Sequence, residues 1–277
     1  MDWRALAVSA KPTIGLGILS WRGAQSLRHS LESYQKNGFF ELFDDVITFL
    51  PDPDEAVLEA VKGFPVRVVT APENKGILHG MEMTARSLST DLVFHAENDC
   101  PLIENKAESA RQIKIASDLI INGKAVMARM RHRKFPGQDF DTYDKYLRYY
   151  PHQDTLKTKM RRFFRPGKAR RLQGTAIYID GAHAKKFPDV IEDIGHGFYL
   201  VDANVMPWTN QSIIYEREFF LETLMPFCHA VPFRRGANGF PNMEVELNNC
   251  RFWRKSGWKI ACGPGLLTHK RAESRGY

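Results

Sequence analysis

The sharpest chemical signal in the chain is Glu97-Asn98-Asp99, two carboxylates one residue apart that follow the apolar run 91–95. Acids at that spacing can share a divalent cation. Hard ions such as Mg2+ and Mn2+ prefer oxygen ligands and keep positions open for phosphate oxygens. Acid-x-acid triplets are also common in solvated turns, so the place of this one, after a strand, is what gives it weight. A second concentration of charge is 155–171, which holds Lys157, Lys159, Arg161, Arg162, Arg165, Lys168, Arg170 and Arg171 and no acid, interrupted by Phe163, Phe164 and Pro166. Such a run is either a solvated face or, with its aromatics, a surface for an anionic acceptor or an anionic membrane. Gly15-Leu16-Gly17 invites a dinucleotide-binding reading, but Ser20 stands where the third glycine would be, which argues against it. The chain has no Gly-x-Ser-x-Gly and its His residues are dispersed, so a hydrolase triad has no local support.

The elements that must position these residues alternate. Apolar patterning predicts strands at 13–19, 45–50, 66–70 and 91–95 and helices at 23–36, 55–62 and from the loop 72–76 to about 87. A helix over 104–122 and a strand over 125–130 follow. This order argues for βαβ units, an α/β fold with a mostly parallel central sheet flanked by helices. Such sheets bind ligands at the carboxyl ends of their strands. Each predicted strand ends there in polar residues or glycine: Ser20-Trp21-Arg22, Asp52 and Asp54 around Pro53, Asn74-Lys75-Gly76, and Glu97-Asn98-Asp99. Periodicity is weak across 131–172, strand-like patterning returns at 172–180, and a helix over 242–256 and a strand over 258–262 close the chain. With no repeat and no linker composition, a single domain over 1–277 with a basic insertion at 131–172 is the simplest account.

Of the 277 residues, 43% are hydrophobic, enough apolar surface to offset chain entropy and exclude general disorder. The formal charge of +7 and a pI near 9.2 point to an anionic partner without choosing among nucleotide, phosphorylated glycan, membrane surface and nucleic acid. No apolar run is long enough to cross a bilayer, and the start of the chain lacks the apolar core of a secretion signal, so a cytoplasmic protein is expected. Cys100, Cys228, Cys250 and Cys262 have no zinc-knuckle or Cys-x-x-Cys spacing and are expected to be reduced thiols.

These residues carry a family resemblance. Ile18-Leu19-Ser20-Trp21-Arg22, the helix segment 27–34, Asn74-Lys75-Gly76 and the strand 92–99 with its acid triplet resemble, in order, motifs of the inverting GT-A fold glycosyltransferases of the family 2 type. The triplet departs from that family's Asp-x-Asp in having Glu97 at the first acid. Toward the C-terminus, Gly174 opens a segment, 174–187, similar to the family's acceptor-side strand. The segment 243–251 resembles the motif Glu-Asp-x-Glu-Leu-x-x-x-Arg, with Met243 at the first acid and Glu244 at the second, and 256–260 resembles the strand after it. His269 falls where several members carry a late His near the metal. The likeness covers about two thirds of the chain and leaves out 131–172.

The resemblance implies a GT-A-type nucleotide-diphospho-sugar transferase fold. Residues from about 10 to 130 would form the nucleotide-sugar half and 173–277 the acceptor half. It implies a hexosyltransferase-like activity with a nucleotide-diphosphate sugar as donor, a glycan as acceptor and Mn2+ or Mg2+ as cofactor. Glu97, Asp99 and His269 would hold the metal, and Glu244 would be the general base, with Glu246 as its competitor. Ser20, Trp21, Arg22, Asp52, Asp54, Asn74, Lys75, Gly76, Asn98 and Gly174 would line the substrate. Asp52 and Asp54 are equally well turn residues around Pro53, Lys75 an exposed surface cation and His269 a surface His beside Lys270 and Arg271. The basic segment fits an anionic acceptor of surface polysaccharide or lipopolysaccharide synthesis, with peripheral association at the inner face of a membrane. Nucleic acid is not expected as a partner. Two other classes remain: a sugar nucleotidyltransferase, for which Ser20-Trp21-Arg22-Gly23 is a short loop, and a non-catalytic polyanion binder, which leaves the acid triplet and Glu244 unexplained.

Overall fold

The computed structural model of the protein describes residues 11–138, 140, 142–230 and 239–273. Residues 1–10, where no secretion signal is expected, lie outside the described residues. Chain order begins with β1 (Ile14–Leu19), α1 (Ala24–Lys36), β2 (Asp45–Pro51), α2 (Glu55–Val61), β3 (Arg67–Ala71), α3 (Ile77–Ser87) and β4 (Leu92–Glu97). It continues with α4 (Lys106–Ile121), β5 (Met127–Arg131), α5 (Thr142–Leu147), α6 (Leu156–Phe164), α7 (Pro166–Leu172) and α8 (Gly181–Ala184). Then come β6 (Ile191–Gly195), β7 (Phe198–Asp202), β8 (Ile213–Glu216), α9 (Met225–Ala230), α10 (Met243–Asn249), α11 (Arg251–Arg254) and β9 (Lys259–Leu267).

The strands form one nine-stranded sheet in the order β3-β2-β1-β4-β8-β5-β9-β7-β6. The first four strands are parallel, as the βα alternation predicts. Beyond β4 the sheet is mixed: β8 runs antiparallel to both β4 and β5, while β9 runs parallel to β5. Each face has its own core. Leu27, Leu31 and Tyr34 of α1 and Ile113, Ala116 and Ile120 of α4 cover Leu16, Ile18 and Phe94 on one side. Met81 and Ala85 of α3, with Trp208, Phe220 and Trp253, cover Phe49, Val93, Ile213 and Tyr215 on the other. Gly15 and Gly17 of β1 face this second layer. A Cβ on Gly17 would lie 2.3 Å from Thr84 Cγ2 of α3, and one on Gly15 would lie 2.7 Å from Thr90 Oγ1. Close approach of helix to strand therefore accounts for the Gly-x-Gly, and no phosphate is required.

Three expected elements differ. The segment 172–180 is not a strand: Gln173–Tyr178 is a 3-10 helix that leads into α8. Its consecutive buried residues, Thr175, Ala176, Ile177 and Tyr178, give no period that separates a buried strand from a buried helical turn. The helix over 242–256 is broken at Cys250, whose backbone is extended between α10 and α11. Trp253 donates from Nε1 to the Met206 carbonyl at 3.0 Å and Asn248 accepts from Trp208 N at 2.6 Å, so each short helix is tied separately to the segment before β8. The basic insertion, finally, is helical rather than irregular, folding as α5, α6 and α7.

Candidate active site

Strand direction gathers the site. The acid triplet leaves the carboxyl end of β4. Because β8 is antiparallel to β4, with Ile213 opposite His95, the loop entering β8 reaches the same edge. Because β9 is parallel to β5, its exit delivers Thr268, His269 and Lys270 there too. Lys270 N donates to the Asp99 carbonyl at 2.8 Å and Thr268 N to the Pro101 carbonyl at 3.0 Å, which sew the two exits together.

Asp99 is fully buried, and its Oδ2 lies 3.2 Å from His269 Nε2 and 3.4 Å from Arg271 Nε. On the far side of the His269 ring, Nδ1 lies 3.2 Å from the Gln138 carbonyl, which can only accept. Nδ1 therefore carries a proton, and Nε2 is aimed at the carboxylate. Burial disfavours the imidazolium, but the Asp99 carboxylate beside it outweighs that and raises His269 above its ordinary value. Two acceptors on either side of one imidazole ask for a cation between Nε2 and Oδ2, either a proton or a metal ion. An Nδ1–H donated to a carbonyl is also how metal-binding His residues are commonly oriented. The donor set of carboxylate and imidazole thus fits a divalent cation. Gly137 makes this seat possible: its φ is +80°, and a Cβ there would fall 2.0 Å from the His269 carbonyl oxygen.

Glu97 ends β4 opposite Leu19 and is partly exposed. It does not complete a three-residue cluster with Asp99 and His269 at ligand spacing. Among the described residues, the group whose ligand atoms all lie within 4.8 Å of one another is His152, Asp180 and His183. There Asp180 caps α8, accepting from His183 N at 2.7 Å.

Glu244 sits in the first turn of α10, whose N-cap Asn242 accepts from Glu244 N at 3.0 Å. Its Oε1 accepts from Asn210 N at 2.8 Å in the loop entering β8. The neighbouring Gln211 Oε1 accepts from Arg131 Nη1 at 2.7 Å. Arg129 and Arg131, two apart on β5, thus form a cationic floor beneath the loop. Burial opposes the Arg129 charge, but Tyr178, Cys262 and Glu244 together outweigh it and raise this group.

The residues expected on the donor side divide by what they do. Ser20 and Asn98 are buried, and Asn98 Nδ2 donates to Ser20 Oγ at 3.0 Å and to the Arg22 carbonyl at 2.9 Å. This clasp ties the turn after β1 to the end of β4. Arg22, at φ +55°, places its guanidinium 4.8 Å from the Trp21 ring centre and is exposed. Asp52 is exposed at φ +49°, while Asp54 caps α2 by accepting from Val57 N at 2.8 Å, which is the turn role. Asn74 Oδ1 accepts from Gly76 N at 2.9 Å, and Gly76 has φ +86° at the head of α3. Lys75 pairs with Glu73 at 2.8 Å on the surface. Gly174 is buried, and a Cβ on it would lie 2.5 Å from the Val205 carbonyl oxygen, so it serves packing.

Sequence reasoning did not find Arg271, Gln138, Asn210, Arg129 or Arg131. Arg271 was within reach, since Lys270-Arg271 follows His269, but two cations in a row resemble any solvated face. Gln138 and Asn210 act largely through backbone atoms and have no residue-type signature. All four cysteines are free thiols, three of them buried. No helix of the described residues is long and apolar enough to cross a membrane.

No family model matches the chain, and no curated protein is similar to it in sequence. Solved structures are similar in fold. Mannosyltransferase PcManGT from Pyrobaculum calidifontis, in complex with GDP-Man and Mn2+, aligns at TM-score 0.50 and 11% identity over 97% of this chain and 59% of that one. S. aureus TarS 1-349, in complex with UDP-GlcNAc, aligns at 0.50 and 9% identity over 95% and 60%. Glucosyl-3-phosphoglycerate synthase from Mycobacterium tuberculosis, in complex with Mn2+, UDP-Glc and phosphoglyceric acid, aligns at 0.49 and 12% identity over 95% and 73%. The chain spans about three fifths of the length of the first two. At these identities the likeness is one of architecture: the chain has the GT-A fold, with a central sheet flanked by helices.

Proposed function

We propose that the protein is a glycosyltransferase that moves a sugar from a nucleotide-diphosphate sugar to an acceptor hydroxyl with inversion. The observation that carries this reading is the gathering of Asp99, His269 and Glu244 at one strand edge of a GT-A fold, from the ends of β4 and β9 and from α10. In this reading Glu244 takes the proton of the acceptor hydroxyl as its oxygen attacks the anomeric carbon. The bond from that carbon to the diphosphate breaks, and the nucleoside diphosphate leaves. Asp99 and His269, the pair that the fold brings to ligand spacing, would hold Mn2+ or Mg2+, which when bound would offset the charge developing on the leaving diphosphate. Arg22 and Arg271 add cationic side chains at the same edge, the second of them half-buried against Asp99. Trp21, Asp52 and the Asn74-Lys75-Gly76 turn flank the donor side, and Ser20 and Asn98 hold that loop in shape. The solved relatives bound to GDP-Man with Mn2+ and to UDP-GlcNAc support a donor of this class. The acceptor we assign is an anionic glycan of the surface polysaccharide or lipopolysaccharide kind, handled in the cytoplasm, since the chain is basic and carries the cationic α6–α7 segment.

A thermal-shift screen of nucleoside diphosphates with and without Mn2+ tests the donor. A ligand at 100 times its Kd should add about 2.7 kcal/mol of stability. Stabilisation by one diphosphate that requires the metal supports the reading. Stabilisation by a broad range of polyanions, lost steeply with salt and indifferent to Mn2+, would instead support polyanion binding.

A further inference from the structure

Helix α6 is amphipathic in the reverse sense. Its polar face is the one fastened to the protein: Thr158 is buried, Arg161 Nη1 donates to the Arg148 carbonyl at 2.6 Å, and Arg162 Nη1 donates to Asp154 Oδ1 at 2.7 Å and to the Tyr149 carbonyl. Its apolar face points outward. Leu156, Met160, Phe163 and Phe164 are 75%, 49%, 78% and 70% exposed. At about 100° per residue these four positions fall within roughly 100° of arc. Lys157 and Lys159, both exposed, border that arc on its two sides. Exposed Arg165, Lys168, Arg170 and Arg171 follow along α7, and no acid occurs from 155 to 171.

We propose that α6 is a membrane-docking helix that lays its Leu156, Met160, Phe163 and Phe164 face into the headgroup and acyl boundary of an anionic bilayer. An exposed apolar stripe edged by lysines matches that boundary in two respects: hydrocarbon beneath the stripe and anionic headgroups beside it. Lysine stems can lie along the apolar surface while their ammonium groups reach the phosphates. The Thr155–Thr158 capping box and the arginine anchors hold the helix formed before it meets lipid, so the ordering cost of an unfolded amphipathic segment is already met. Charge argues against a second copy of the chain as the occupant, because it would bring the exposed Lys157 and Lys159 of each copy to one contact with no acid between 155 and 171 to offset them. A nucleic acid would satisfy the cations and leave the apolar stripe in water. Because the inference rests on the exposed face of α6 and the cations beside it, it stands apart from the chemistry at the strand edge.

Vesicle sedimentation of the full-length protein tests it, with vesicles of phosphatidylcholine alone or mixed with phosphatidylglycerol. The wild-type protein is expected to bind the mixed vesicles at least about tenfold more strongly than the neutral ones, and less as salt rises. Phe163→Ser with Phe164→Ser should weaken that binding about tenfold or more with an unchanged far-ultraviolet circular dichroism spectrum. Lys157→Gln with Lys159→Gln should weaken binding to the mixed vesicles and flatten its salt dependence. The proposal is overturned if the double Phe variant binds as tightly as wild type, since simple electrostatic adsorption would then suffice. It is equally overturned if wild type ignores both vesicles, whether it stays monomeric or self-associates through this face by analytical ultracentrifugation.

Discussion

Glu244 Oε1 accepts a hydrogen bond from Asn210 N at 2.8 Å, which fastens the first turn of α10 to the loop entering β8. The acid is thereby held at the sheet edge by a backbone donor, an interaction that does not depend on its charge. Glu244→Gln keeps that acceptor oxygen and should preserve the fold. It removes the proton acceptor, and the expected loss is about 10²–10⁴-fold in transfer rate with donor affinity nearly unchanged. Glu246→Gln is the control, since two residues on a helix lie about 200° apart and only one of them can face the acceptor. Steady-state rates and nucleotide titrations of both variants check this. An active Glu244→Gln beside an inactive Glu246→Gln would move the base to Glu246.

Asp99→Asn is the conservative probe of the cation site. Asp99 is fully buried against His269, so Ala would leave a hole and take the carboxylate from His269 Nε2, whereas Asn fills the same space. The folded variant should lose its Mn2+-dependent thermal shift, and its transfer rate should fall by at least about 10²-fold, the size of a lost transition-state electrostatic contact. A normal metal-dependent shift in Asp99→Asn would remove the metal from this position.

Gly137→Ala should be costly for a local reason. The backbone there is at φ +80°, and the new Cβ would fall 2.0 Å from the His269 carbonyl oxygen, so backbone must move. Strained backbone of this kind costs on the order of 1–3 kcal/mol. Denaturant unfolding should register that loss, and the metal-dependent shift should weaken with it because His269 is displaced. Gly63→Ala is a useful contrast: its φ is +85°, but its Cβ would meet nothing within 4 Å, so it should lower stability without touching the metal response.

The cations of α6 are not equivalent. Arg162 pairs with Asp154, and its hydrogen bonds, with one from Thr158, hold that carboxyl down at about 2. A depressed carboxylate contributes stability that is complete above its ordinary value near 3.8 and is lost as pH falls through about 2. Amide hydrogen exchange should therefore find the protection of α6 unchanged between pH 7 and pH 5, after correction for intrinsic rates. Asp154→Asn should reduce that protection at both pH values, by under about 1 kcal/mol for so exposed a pair. Lys157→Gln should leave protection unaltered.

The first half of the chain was legible because its information is local. Alternating strands and helices announce parallel βα units, the polar strand ends follow from that topology, and the acid triplet is visible as residue types at fixed spacing. Segments 13–19, 45–50 and 91–95 coincide closely with β1, β2 and β4. The Asn74 turn and the Asp54 cap were readable for the same reason, since each bonds to a backbone N–H two or three residues away. What was not legible is non-local. The antiparallel insertion of β8 between β4 and β5 depends on which edges remain unpaired once four strands have formed. That insertion brings Asn210 to Glu244, while the sheet edge that it shares with β9 carries His269 to Asp99. The burial of 174–178 as a 3-10 helix was hidden because consecutive apolar residues have no period to read. The outward apolar face of α6 was hidden for the opposite reason. A sequence records that a helix is amphipathic, but only packing decides which of its faces is turned toward the protein.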